Sequence, residues 1–123
     1  AATAATAATT ATTYTRRVLG VLGSQGHATA TADVDGDGCD DVLVGLRGPV
    51  HGVWAFMCPG VDAYRSGAWR QVPISLDARY GASAIEVADF DGDGRPDFAA
   101  TGFPGFGGGA TPPNHYVAVY MHT

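Results

Sequence analysis

The sequence predicts an all-β chain made of two antiparallel sheets. Three observations carry that expectation. No stretch places apolar residues at helical spacing. Short apolar or alternating runs recur between turn-forming residues. An acidic nine-residue string occurs twice, and each copy is entered and left by a strand-like run. At 123 residues the chain has the length of one ordinary domain.

Residues 1–13 are seven Ala and six Thr, with no large apolar side chain to build a core. They read as a low-complexity arm: a tail or linker, a Thr-rich stalk carrying O-linked sugar, or a segment lying along a neighbouring molecule. Residues 14–26 follow as a strand (residues 14–22) and a turn of Gly23-Ser24-Gln25-Gly26. The first repeat spans residues 27–80. Residues 27–34 alternate small and polar side chains into the first acidic string, and residues 41–46 leave it as a nearly continuous apolar strand, the pattern of a strand covered on both faces. Arg47-Gly48-Pro49-Val50 makes a tight turn, residues 51–57 form the next strand, and Cys58-Pro59-Gly60 stops it. Residues 69–76 form a fourth strand. Pro73 places it at a sheet edge, because proline cannot donate to a ladder.

Residues 81–123 repeat this order and stop early. Residues 82–88 lead into the second acidic string and residues 97–101 lead out. A Gly/Pro-rich loop over 102–114 replaces the tight turn, and residues 115–121 match residues 51–57. The second sheet is thus one strand short, while residues 14–22 are one strand too many. That orphan stands to Asp33 roughly as residues 72–77 stand to Asp89. It is expected to complete the second sheet, in its own molecule or in a neighbouring subunit.

The two strings are Asp33-Val34-Asp35-Gly36-Asp37-Gly38-Cys39-Asp40-Asp41 and, 56 residues later, Asp89-Phe90-Asp91-Gly92-Asp93-Gly94-Arg95-Pro96-Asp97. Alternate residues at the start of such a loop can point one way, so three carboxylates converge. Glycine supplies the positive φ that turns the backbone round that point. Crowded carboxylates repel unless a hard cation sits among them, and calcium suits a flexible all-oxygen site that includes a backbone carbonyl. That carbonyl is expected from Cys39 in one loop and Arg95 in the other. An Asp/Gly-rich string also serves as a plain solvated turn, but two copies in register, each between strands, favour two Ca²⁺ sites.

The net charge of −5 comes from 7 basic and 12 acidic residues, and nine of the acids lie in the loops. The acidity is therefore a property of the candidate metal sites. The bases are all Arg and scattered, which gives no basic stripe for nucleic acid, and no apolar run reaches membrane-spanning length. The chain begins with Ala, as a processed chain or a piece of a longer one would. Calcium loops of this kind suit the millimolar calcium outside cells, so an extracellular or cell-surface location is expected. With a hairpin turning at Gly48-Pro49, Cys39 falls opposite Cys58, and a disulfide is expected there in an oxidising compartment.

Residues 80–97, continued by Phe98 to Gly102, resemble the FG-GAP/VCBS repeat, as do Gly26 to Gly45. His51-Gly52-Val53-Trp54-Ala55-Phe56 is similar to that repeat's following strand. The resemblance implies four-stranded blades of integrin-α-like β-propellers, the second blade here lacking its own fourth strand, with calcium between the first two strands of each. It implies side-chain ligation by Asp33, Asp35, Asp37 and Asp41, and by Asp89, Asp91, Asp93 and Asp97. Propellers use four to eight blades, so two repeats would close only with other chains, as part of a longer protein, or by another packing.

Catalytic machinery is not expected: the serines at 24, 66, 75 and 83 sit in no nucleophile elbow, and Glu86 is the sole Glu. His51 and His115 occupy matching strand starts, a structural element or a transition-metal pair. Trp54, Trp69, Tyr80, Tyr116 and Tyr120 serve blade packing or stack on sugar rings. The expected function is a calcium-binding extracellular structural module that self-assembles head to tail into a fibre or ring. Its contacts would be residues 14–22 of one subunit and the 115–121 strand edge of the next. The rival is a carbohydrate-binding or adhesion propeller fragment.

Overall fold

The computed structural model describes residues 12–75, 80–104 and 116–123. The described residues form seven strands and no helix: β1 (Gln25–Ala32), β2 (Asp41–Arg47), β3 (Gly52–Met57), β4 (Arg70–Ser75), β5 (Tyr80–Ala88), β6 (Asp97–Pro104) and β7 (Tyr116–Tyr120). They make two antiparallel sheets, one ordered β1-β2-β3-β4 and one ordered β5-β6-β7. Pro73 lies on the edge strand β4, as its missing N–H requires. The Ala/Thr arm falls outside the described residues up to residue 11, as do most of the 102–114 loop and His115.

The sheets pack face to face. Leu43, Val53, Ala55 and Met57 of the first meet Ala82, Ile85, Phe98 and Ala100 of the second in one buried cluster. Strand periodicity puts the even-numbered residues of β2 on the opposite face, where Val44 and Leu46 join Phe56 in a second cluster. Gly45 shows how close the sheets come: a Cβ added there would lie 2.7 Å from the Ala82 carbonyl oxygen. Both sheets carry a β-bulge at the same point of their first strand, between Gly26 and Ala28 in β1 and between Ala82 and Ala84 in β5. The bulge resets the alternation, so Ala82 and Ile85 share the buried face.

Two expectations are corrected. Residues 12–22 form no strand and do not complete the second sheet of their own chain, which has three strands among the described residues. Instead Leu19 and Leu22 pack on the outer face of the first sheet, against the cluster of Val44, Leu46 and Phe56. The physical reason is burial: that face is apolar and would otherwise meet water. The Arg17 guanidinium fastens the segment by donating to the carbonyls of Tyr64 and Gly67. The second correction concerns the β2–β3 hairpin. It pairs Val42 with Phe56 and Leu46 with Gly52, centring the turn on Pro49, one residue off the register expected from a turn between Gly48 and Pro49.

Candidate metal centre

Each acidic string is the connection between the first two strands of its sheet, β1 to β2 and β5 to β6. Gly36 and Gly38 have φ of 76° and 86°, and Gly92 and Gly94 have 76° and 85°. A Cβ on Gly36, Gly92 or Gly94 would meet nothing within 4 Å, so backbone conformation and not space demands glycine there.

The loops then close on their own carboxylates. Asp33 accepts from the amides of Asp37 (3.1 Å) and Gly38 (2.8 Å), and Asp89 accepts from Asp93 (3.1 Å) and Gly94 (2.8 Å). The Asp37 amide also reaches Asp35, as the Asp93 amide reaches Asp91. The same bonds made 56 residues apart show that this conformation follows from the string itself. The result is a cluster of oxygens. Asp33, Asp35 and Asp37 each offer one within 4.8 Å of the others, and so do Asp89, Asp91 and Asp97.

The ninth-position acids have a further task. Asp41 and Asp97 are 0% and 1% exposed, while nearly every other described acid is in water. Asp41 accepts from Val34 N (2.8 Å) and Cys58 N (2.7 Å). Asp97 accepts from Phe90 N (2.9 Å) and His122 N (2.8 Å). Each carboxylate therefore ties the start of its loop to the end of the third strand, satisfying amides that would otherwise be orphaned. This clamp was missed in the sequence, although a carboxylate opening an apolar, twice-covered strand signals a group that must find partners.

The loops differ at the seventh position, which decides what the fifth-position acid meets. Asp93 forms an ion pair with the Arg95 guanidinium at 2.9 Å, while Asp37 has Cys39 in that place. The Arg95 amide and guanidinium hold the Asp93 carboxyl below the usual range, and the Gly38 amide does the same for Asp33. Asp35 is pushed up, mainly by loss of water and then by the charges of Asp41 and Asp37. At Asp91 the Asp93 amide pulls downward, but desolvation and the charges of Asp93 and Asp97 together prevail and raise it. Each loop thus holds one carboxylate that resists ionising beside its neighbours, the electrostatic situation a divalent cation relieves.

Cys39 and Cys58 form a disulfide with Cα atoms 6.0 Å apart. The pairing holds despite the shifted register because Cys39 precedes β2 and is not bound by strand alternation. It places a covalent link beside the Asp41 clamp. Between the two loops runs a cleft of about 670 Å³ whose walls include Asp33, Asp35, Asp89, Arg95 and His122. Of the aromatic residues singled out in the sequence, Tyr120 stacks on Phe98 with centroids 4.7 Å apart and the Trp69 indole donates to the Tyr64 carbonyl. The side chains of Tyr80 and Tyr116 lie outside the described residues. Trp54 donates to the carbonyl of His51, which gives that residue a structural contact.

Fold and site together define a two-sheet all-β protein with a duplicated acidic loop able to hold metal. Comparison of the chain with protein-family models, with curated proteins and with solved structures found no match.

Proposed function

We propose that the chain is an extracellular structural module whose two acidic loops bind Ca²⁺ and whose copies join head to tail by strand addition. The single observation that carries the assembly is the mismatch of strands among the described residues: one sheet has four, the other three, and residues 12–22 pair with neither. The resemblance to FG-GAP/VCBS repeats adds the expectation that such sheets are propeller-type blades. β4 lies 56 positions after residues 14–19, the same offset as the acidic loops, so residues 14–19 would take the β4 role on the edge of β7 in the next copy. A contact between two different surfaces propagates as a fibre or closes as a ring.

Calcium fits the loops because the donors are carboxylate oxygens on a flexible backbone. Asp33, Asp35 and Asp37 would hold one ion and Asp89, Asp91 and Asp97 the other, with Asp41 and Asp93 as the remaining expected side-chain ligands and the Cys39 and Arg95 carbonyls completing the shells. The disulfide suits an oxidising compartment outside the cytosol. The test is sedimentation in calcium of the full chain and of a chain lacking residues 1–22. Assemblies of the full chain and monomers of the shortened one are expected; assemblies that persist unchanged after the deletion overturn strand donation.

A second reading, a carbohydrate-binding or adhesion fragment, is favoured by the cleft between the loops, where a polyhydroxyl ligand would meet both candidate ions. A glycan array read with and without chelator tests it, and binding only in calcium is its expected result.

A further inference from the structure

We infer that the exposed face of the three-stranded sheet is an interface for a second copy of this chain, which docks there through the outer face of its four-stranded sheet. The inference rests on the head-to-tail reading above and adds the surface that such a contact would bury.

The argument starts from the register of the two sheets. Leu43 and Gly45 of β2 lie opposite Ala55 and Val53 of β3. Ala99 and Thr101 of β6 lie opposite Val119 and Val117 of β7 in the same way. The first four residues are the face by which the first sheet packs on the second. The second four are its counterpart, and among the described residues no apolar cluster covers them: Val117 is 71% exposed and Val119 45%. The complementary surface is duplicated too. Phe98 and Ala100 of the second sheet pack on the first, and their counterparts Val42 and Val44 lie on the first sheet's outer face. The molecule therefore contains one copy of a sheet-to-sheet contact and both halves of another.

The substitutions between the two halves are matched across the contact. Inside the molecule Gly45 faces Ala82, with no room for a Cβ. The counterpart of Gly45 is Thr101, and the counterpart of Ala82 is Gly26, so the glycine changes sides and the close approach is kept. Ala30 and Val87 both pack against the cluster that contains Ile85. The counterpart of Ala30 is Glu86, and those of Ile85 and Val87 are Thr29 and Thr31, so an acid would lie near hydroxyls where a methyl lies near aliphatic chains. Leu43 beside Ala55 becomes Ala99 beside Val119, which trades bulk between neighbouring strands. Such paired exchanges are what a preserved interface needs.

At present Leu19 and Leu22 cover the outer face of the first sheet, and Gly26 lies 3.0 Å, at an added Cβ, from Leu22 Cδ1. Residues 14–22 therefore act as a cover that must leave before docking. Donating them to the β7 edge of the neighbour removes that cover at the junction where the faces meet.

The test uses the full chain in calcium. One arm combines Val117→Glu with Val119→Glu, which should weaken association at least tenfold while the circular dichroism spectrum and calcium binding stay unchanged. The other mixes a Thr101→Cys chain with a Gly26→Cys chain under mild oxidant, with exposed Val61→Cys replacing either partner as control. A covalent heterodimer well above the control is expected. Assembly that survives both glutamates, with cross-linking no better than the control, overturns the face interface and leaves strand donation standing. Cross-linking together with assembly that persists without residues 1–22 keeps the interface and removes strand donation. A full chain that stays monomeric and does not cross-link overturns both.

Discussion

Asp41 and Cys58 are joined across 17 residues by a hydrogen bond of 2.7 Å, from the Cys58 amide to a carboxylate that is wholly buried. The other oxygen of Asp41 holds Val34 N, so one side chain fastens the acidic loop to two strands.

Replacing Asp41 with Ala is therefore expected to destabilise the fold by about 3 kcal/mol or more, since two buried amides lose a charged acceptor. Asp97→Ala should cost at least as much on the second sheet, because it removes a candidate ion ligand together with the clamp. Denaturant midpoints measured at saturating calcium report this loss, and a change under about 0.5 kcal/mol would remove the clamp role.

Asp35→Asn and Asp91→Asn should each weaken calcium binding at one loop at least tenfold and leave the other loop's affinity near its original value. Titration calorimetry on the two variants separates the sites. A chelator should lower the melting temperature, because an ion at about 100 times its dissociation constant adds about 2.7 kcal/mol to stability.

Acidification should release calcium early. The folded, empty loops hold Asp35 above its ordinary range through loss of water and the charges of Asp41 and Asp37, and hold Asp91 above it through desolvation and the charges of Asp93 and Asp97. A raised value means that the proton competes with the cation from higher pH downward. Affinity is thus expected to fall as pH drops toward the carboxylate range, earlier than for ordinary Asp ligands, with protons taken up as the ion is lost. Calorimetry in buffers of different ionisation enthalpy counts those protons, and an affinity that does not fall on acidification, with no proton uptake, would contradict the shift. Asp33 and Asp93, held low by the Gly38 amide and by Arg95, stay charged over this range.

Gly45→Val should cost about 1–3 kcal/mol, because an added Cβ meets the Ala82 backbone and the sheets must part. Thr101→Val, at the matching position on the open face, should change the stability of the monomer by less than about 0.5 kcal/mol. Thermal unfolding of dilute protein compares the two.

Reducing the Cys39–Cys58 bond, which closes a separation of 19 residues, should lower stability by about 3 kcal/mol. Calcium affinity of the first loop should fall with it and that of the second should not. Parallel titrations with and without reductant check both statements.

Much of this was legible beforehand because it is local. Pro73 announced an edge, the apolar run from Val42 to Leu46 announced a strand covered on both faces, and alternating Asp and Gly announced two loops of one conformation. The hairpin register was misjudged by one residue, because Gly48-Pro49 marks a turn without stating how many residues it takes. The metal sites were legible as loops. The division of labour among their acids was not, since Asp41 and Asp97 look like their neighbours until the third strand supplies an amide.

By itself the sequence determined the strands, the turns, the paired cysteines and the carboxylate clusters, all governed by torsions and contacts within a few residues. Tertiary structure alone decided where residues 14–22 lie, which faces of β2 and β6 are covered, and that Gly45 is a point of close approach. Those outcomes depend on competition among distant surfaces for burial. The strand-like run of Val18 to Leu22 can pair with an edge or cover a face, and in the single molecule the apolar face around Val44 and Phe56 wins it.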